Sequence, residues 1–307
     1  MNTESYPDTR LRFDGKTALV TGAGAGLGLS HARQLAERGA RVMLNDICMD
    51  GVSKAELAAE MLRNEGHEVR AFTGSVGIEA EARAAVDAVM DAWGQIDILV
   101  NNAGNSIGGA LQDVTTDDMR SVLEVHMFGM FWTMQSAIRH MRASDYGRIV
   151  NTASALGSFG APSALPYVAA KAAVIGLSRG ASLDNRDRNI RINVLCPVAY
   201  TNMAKAYFDA NPAIQIDRLD VARVSPAVVY LVHESCSLDG ETLSVAAGRV
   251  ARIFTATAPG FSSGSLTAEH VADNLAAVFD QTGFVVPGSS VEQYKLQPLD
   301  GVTDRNL

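Results

Sequence analysis

From Lys16 to about Val250, short apolar runs rich in β-branched residues alternate with alanine-rich stretches whose apolar positions recur every three to four residues. Continuous apolar runs suit strands covered on both faces, and the three-to-four spacing suits helices lying over them. The runs predict seven strands, at Thr17–Thr21, Arg41–Asp46, Glu68–Thr73, Ile96–Asn101, Arg148–Thr152, Arg191–Cys196 and Thr242–Ala246. Helices are predicted at Gly28–Arg38, Val52–Asn64, Ile78–Trp93, Thr116–Met141, Tyr167–Leu183 and Pro226–His233, with Gly39 and Gly94 as stop signals. Strict strand–helix alternation implies an α/β fold: a doubly wound, mainly parallel seven-stranded sheet with a C-terminal extension. Two segments leave the rhythm. Thr201–Val224 mixes polarities around Pro212 and predicts a loop or short helices. After the last strand one helical pattern remains, Thr267–Asp280, in a tail too poor in apolar residues to form its own core. The expected organisation is residues 1–250 as one domain and 251–307 as an extension packed on that body or on a neighbouring subunit.

Composition narrows the partners. The 307 residues carry 26 Lys+Arg against 34 Asp+Glu, a formal charge of −8, with 47% hydrophobic and 20% charged residues. That balance lacks the basic field that draws a chain to nucleic acid, and no run reaches the roughly 20 apolar residues of a membrane span. Cys48, Cys196 and Cys236 are too few and too scattered for a disulfide framework, so they predict small buried residues in a reducing compartment. Met1–Arg12 has no apolar core of a secretory signal, and Arg305–Leu307 is not a peroxisomal Ser-Lys-Leu address, leaving the cytoplasm as the expected location. No cluster with metal-ligand spacing occurs.

The first strand runs into Gly22-Ala-Gly24-Ala-Gly26-Leu27-Gly28 and then a helix. A helix N-terminus presents unpaired N–H groups and the positive end of its dipole, and glycine removes the Cβ that would block a pyrophosphate. Asp46 ends the second strand 24 residues after Gly22. An acid there accepts from the adenosine ribose hydroxyls and repels a 2′-phosphate, which favours NAD over NADP. No Lys or Arg lies within the turn or directly after Asp46, so a 2′-phosphate clamp is absent from the local sequence.

Tyr167 and Lys171 are four apart and share one helix face, and Ser154 lies 13 residues before Tyr167. A phenol is a poor base at neutral pH unless a nearby cation favours the phenolate, which a lysine on the same face can supply. Together with Asn101-Asn102-Ala103-Gly104 after the fourth strand, this set resembles the short-chain dehydrogenase/reductase family over roughly Arg12–Val250. The resemblance implies a Rossmann-type fold and an NAD-dependent enzyme oxidising a secondary alcohol, reversibly, to a carbonyl. In that reading Tyr167 takes the alcohol proton, Ser154 orients the substrate oxygen, and Lys171 also holds the nicotinamide ribose. Gly22, Gly24, Gly26, Leu27, Gly28, Asp46, Ser75, Val76, Asn102, Ala103, Gly104, Pro197 and Thr201 complete the cofactor cleft.

Val125-His126-Met127-Phe128-Gly129 departs from the family's Val-Asn phrase, whose Asn supports a proton-relay water. His126 can donate and accept, so it is either a relay residue or a packed histidine. Gly74-Ser75-Val76 also lacks the Asp often found by the adenine. These departures, with Asn45-Asp46, Pro197–Met203 and His233-Glu-Ser-Cys236, resemble the subgroup formed by the (3R)-hydroxyacyl-CoA dehydrogenase parts of peroxisomal multifunctional β-oxidation enzymes. That resemblance implies a bulky apolar alcohol, a (3R)-hydroxyacyl-CoA or a 17β-hydroxysteroid-like molecule. Met203, Tyr207, Phe208, Ile214 and Ile216 then cover the substrate or simply pack on the body. Lys205, Arg218 and Arg223 either meet CoA phosphates or are solvated. The alternatives are a dehydrogenase of another small alcohol or ketone, an epimerase, or a non-catalytic NAD-binding sensor. The family's long helices commonly pair, which implies a homodimer or homotetramer.

Overall fold

A computed structural model describes residues 11–297. The strands are β1 Thr17–Thr21, β2 Arg41–Asp46, β3 Val69–Thr73, β4 Ile98–Asn101, β5 Gly147–Thr152, β6 Ile190–Val198, β7 Thr242–Ala246 and β8 Arg249–Ile253. They form one sheet in the order β8-β7-β6-β5-β4-β1-β2-β3. Every pair from β3 through to β7 is parallel, with Thr21 opposite Asn45 and Val20 opposite Val100. The seven expected strands are all present, and the sheet gains an eighth. Ala247 and Gly248, both at positive φ (50° and 85°), form a two-residue turn that sends β8 back beside β7. The apolar pattern fades along β8, whose residues are exposed or half-buried, so periodicity did not mark it.

The helices are α1 Gly26–Ala36, α2 Lys54–Asn64, α3 Glu79–Trp93, α4 Thr116–Leu123, α5 Gly129–Ser144, α6 Leu165–Asp184 and α7 Ser225–Leu231. Alternate residues of each strand feed opposite faces. Ala18, Val20, Val42, Leu44, Ile98 and Val100 pack under α1, α2 and α7, whereas Leu19, Met43, Leu99 and Ile149 pack under α3, α5 and α6. Helices on both faces of a parallel sheet make the doubly wound fold. Because connections leave β1 and β4 in opposite directions, the crevice at their C-terminal ends is the switch point where such sheets bind ligands.

Four local expectations are corrected. Val52-Ser53 is not helical: it pairs with Cys48-Met49 in a small antiparallel hairpin turned by Asp50 and Gly51, so α2 starts at Lys54. The long helix expected at Thr116–Met141 is interrupted by a π-helical turn at Glu124–Phe128 and continues to Ser144. Thr267–Asp280 is two short helices, Ala268–Asp273 and Leu275–Phe279, meeting at Asn274. Cys48 is exposed rather than buried, since the hairpin carries it to the surface; Cys196 and Cys236 are buried, and all three are free. Thr201–Val224 holds one helical turn pair, Lys205–Asp209, and two 3-10 turns. The chain divides into two compact units, one ending at Arg252 and the other beginning at Ile253. Met1–Arg10 and Arg305–Leu307, read above for targeting signals, lie outside the described residues. No helix among the described residues is long and apolar enough to cross a membrane.

Candidate active site

The glycine turn is shaped by contacts a side chain would destroy. A Cβ built on Gly28 falls 2.1 Å from the Gly22 carbonyl oxygen, and one built on Gly22, which sits at φ +63°, falls 2.7 Å from the Ala103 Cα. β1 and β4 therefore approach backbone to backbone. Asn102 fixes the approach: its side-chain amide donates to the carbonyls of Thr21 and Gly22 at 3.1 Å, while the N–H groups of Asn102 and Ala103 donate to the Thr21 hydroxyl. The result is an open cradle at the N-terminus of α1, the shape and polarity that a dinucleotide pyrophosphate needs. Gly26 faces Thr201 at the start of the segment after β6, which brings these two expected cofactor residues together. Pro197 is half-buried near the end of β6.

At the other end of the cleft, Asp46 is held ready. One carboxylate oxygen accepts from the Gly24 N–H and the other from the Ile47 N–H, both at 2.8 Å. Each oxygen keeps a lone pair for a further donor. Ser75 is engaged locally, its hydroxyl accepting from the Gly77 N–H, and Val76 is buried against α5, where a Cβ on Gly129 would lie 2.8 Å from the Val76 carbonyl oxygen. The fold also supplies a cation that the local sequence reading missed. Lys54, eight positions beyond Asp46, returns to the glycine turn because the small hairpin folds back before α2: a Cβ built on Gly24 meets the Lys54 Cβ at 2.5 Å. The only sequence signal was Asp50-Gly51, a dipeptide suited to a tight hairpin turn.

β5 ends at Thr152 and delivers two groups to the crevice. The Thr152 carbonyl accepts from the Lys171 ammonium at 2.6 Å, and Ser154, two residues on, caps a helical turn at Ala155–Phe159 by accepting from the Leu156 N–H. That turn lies directly on α6, since a Cβ on Gly157 would fall 2.5 Å from the Lys171 carbonyl carbon. Helix α6, opened by Leu165-Pro166, presents Tyr167 and Lys171 on one face, with the ammonium 5.4 Å from the phenol ring centre. Burial lowers Lys171 to about 7. Burial also raises the Tyr167 phenol, opposed by hydrogen bonding with Ser154 and reinforced by the Cys196 thiol. In the chain alone, burial therefore works against the phenolate.

The π-helical turn explains His126. Its extra residue rotates the imidazole inward, leaving it 1% exposed, with its ring edge-on to Tyr167 at 5.4 Å between centres. Nε2 lies 2.7 Å from the Asn105 carbonyl oxygen and 3.2 Å from the Asn105 N–H. The shorter contact assigns the hydrogen to Nε2, donated to the carbonyl, so Nδ1 is a bare acceptor, buried without a hydrogen-bond partner among the described residues. Burial first, and the Lys171 charge second, hold His126 down to about 3. Gly104 must be glycine beside it, because a Cβ there would lie 2.4 Å from the imidazole Cε1.

Among the candidate phosphate contacts, Lys205 is already paired with Asp209 and donates to the Tyr200 hydroxyl; Arg218 and Arg223 are exposed. No group of three or more His, Cys, Asp or Glu is placed to hold a metal among the described residues.

Comparison with known proteins agrees with this architecture. Residues 16–212 match the family described as short chain dehydrogenase. The chain is 36% identical over 250 residues to peroxisomal multifunctional enzyme type 2 of Drosophila melanogaster, covering 80% of this chain and 41% of that protein. It thus spans about two fifths of that relative's length. The solved full-length structure of the Drosophila enzyme superposes with a TM-score of 0.79 at 31% identity, over 93% of this chain and 49% of the other. A gluconate 5-dehydrogenase from Burkholderia cenocepacia, solved with NADP and tartrate, superposes with a TM-score of 0.71 at 34% identity, over 78% of this chain and 96% of that one.

Proposed function

Because the chain belongs to the short-chain dehydrogenase family and is an oxidoreductase acting on a CH–OH group, we propose that it oxidises a secondary alcohol with NAD⁺, reversibly, using Tyr167, Ser154 and Lys171. The observation that carries this reading is the convergence of Ser154, Tyr167 and Lys171 at the end of β5, beside the glycine cradle between β1 and β4. When bound, NAD⁺ would supply the hydride acceptor and a positive ring to this cleft. Tyr167, with the Lys171 ammonium on the same helix face, takes the proton from the substrate hydroxyl as the carbinol C–H bond breaks. Ser154 donates to the substrate oxygen and orients it. Lys171, fixed by Thr152, has remaining N–H donors for the nicotinamide ribose. His126 stays neutral at working pH, so its part is to hold the Asn105 loop through Nε2 and to offer Nδ1 as an acceptor for a relayed water.

Gly22, Gly24, Gly26, Leu27 and Gly28 line the pyrophosphate; Asp46 binds the adenosine ribose and favours NAD. Ser75, Val76, Asn102, Ala103, Gly104, Pro197 and Thr201 complete the cleft. The preferred substrate class is a (3R)-hydroxyacyl-CoA or a 17β-hydroxysteroid-like alcohol. The likeness to multifunctional enzyme type 2 supports it, as do the exposed apolar side chains of Met203 and Tyr207 on the segment after β6. Phe128 and Phe131, large and partly exposed beside α5, support pairing of copies as a homodimer or homotetramer. The free thiols support a reducing compartment, the cytoplasm.

The test is an NAD-reduction screen across (3R)-hydroxyacyl-CoA chain lengths and 17β-hydroxysteroids, with Tyr167→Phe as control. Turnover of one class, abolished in Tyr167→Phe while NAD still binds, is the expected result. Near-native turnover by the variant sinks the mechanism, and no turnover of either class sinks the substrate assignment.

A further inference from the structure

Lys54 is a cation that local stability does not explain. It is the first residue of α2, where the helix dipole disfavours positive charge, and it is exposed. Among the described residues no carboxylate lies within ion-pair distance of its ammonium; the first-turn acid of the helix, Glu56, pairs instead with Arg63. Its position is fixed from both sides. Ser53 caps α2 by accepting from the Glu56 N–H, and the Ser53 hydroxyl also bonds that of Thr73 at the end of β3. The stem is pressed against the cofactor turn, since a Cβ on Gly24 would meet the Lys54 Cβ at 2.5 Å and the Asp46 Oδ2 at 2.8 Å. Lys54 and Asp46 thus flank Gly24 together. Asp46 has backbone N–H groups on both oxygens, so it is not committed to the lysine. A flexible stem that carries its ammonium roughly 5 Å from Cβ can sweep the rim where Asp46 meets the adenosine ribose.

We propose that Lys54 is a specificity-determining residue that recognises a phosphate on the adenosine ribose, so that the cleft accepts NADP as a weaker second cofactor despite Asp46. The inference rests on the assignment of this cleft to a nicotinamide dinucleotide. Asp46 sets the preference for a free ribose through its fixed negative charge. Lys54 offsets part of the repulsion when a 2′-phosphate is present, and has nothing to bind when it is absent. The ratio of NAD to NADP affinity is then a balance between two side chains eight residues apart in sequence.

The experiment is calorimetric titration of the native chain, Lys54→Met and Lys54→Arg with NAD, NADP, 5′-AMP and adenosine 2′,5′-bisphosphate. Lys54→Met is expected to weaken NADP and the bisphosphate about five- to tenfold, the scale of one solvent-exposed contact to a dianion, while NAD and AMP change less than twofold. Lys54→Arg is expected to restore binding of the two 2′-phosphorylated ligands, and added salt to erase the difference between native chain and Lys54→Met. Unchanged NADP affinity in Lys54→Met overturns the proposal. So does an equal loss for all four ligands, which would place the lysine on the shared 5′-phosphate or adenosine. Tighter binding of NADP than NAD by the native chain is a different failure: it overturns the NAD assignment through Asp46, while the Lys54→Met comparison still reads the lysine's own part.

Discussion

His126 gives a quantitative prediction because its environment separates two effects of one side chain. In the folded chain the imidazole is buried and held near a pKa of about 3, whereas in the unfolded chain it returns to about 6.5. A depressed basic group binds more protons unfolded than folded between those values, so stability falls as pH drops through 6.5 and keeps falling to about 3. Each pH unit in that window costs about 1.4 kcal/mol, which makes the loss between pH 7 and pH 5 about 2 kcal/mol from His126 alone. The perturbation is His126→Asn, whose amide can still donate to the Asn105 carbonyl but cannot take up a proton. His31, fully buried and also lowered to about 3, contributes equally to both proteins and cancels in the comparison. Urea unfolding at pH 7 and pH 5 should give a drop in stability about 2 kcal/mol smaller for His126→Asn than for the native chain. Parallel pH dependences, or an imidazole titrating near 6.5 by NMR, would refute the buried neutral assignment. In the same variant the pH profile of kcat should keep its shape, since the native imidazole does not titrate in the working range.

Three further outcomes follow from the geometry. Gly28→Ala must open the turn, because its Cβ would lie 2.1 Å from the Gly22 carbonyl oxygen; NAD affinity measured by titration should fall more than tenfold, with a lowered thermal midpoint. Gly26→Ala meets nothing nearer than Thr201 at 3.9 Å, so it should cost only the roughly 1 kcal/mol of strain at its positive φ. Ser225→Ala removes the hydroxyl that bonds His31 Nδ1 at 2.8 Å and the Ser30 hydroxyl at 2.7 Å; it should cost about 1–3 kcal/mol in chemical unfolding, and an unchanged midpoint would deny that network a stabilising role.

The parts of the site that were legible in the sequence are those written in local spacing. Tyr167 and Lys171 reach one face because a helix brings residues four apart together. Gly22, Gly24 and Gly28 announce a turn with no room for a Cβ at those three positions, and Asp46 ends a strand that alternation alone identifies. The parts that were not legible depend on chain returning from elsewhere. The burial of His126 edge-on to Tyr167 goes with the π-helical turn at Glu124–Phe128, and nothing in Val125–Gly129 spells out one extra residue in a helix. Lys54 joins the cleft only because the Cys48–Ser53 hairpin doubles back.

The sequence by itself determined the fold class and the seven principal strands and singled out Ser154, Tyr167 and Lys171 as the proposed reacting set, since periodicity and helix spacing are properties of neighbouring residues. Tertiary structure alone decided the burial of those residues and the charge around them. Burial raises Tyr167 and lowers Lys171 and His126, and the hairpin after β2 sets Lys54 against Gly24. Desolvation and charge proximity are set by what the whole chain packs around a group, and no local pattern of residues carries that information.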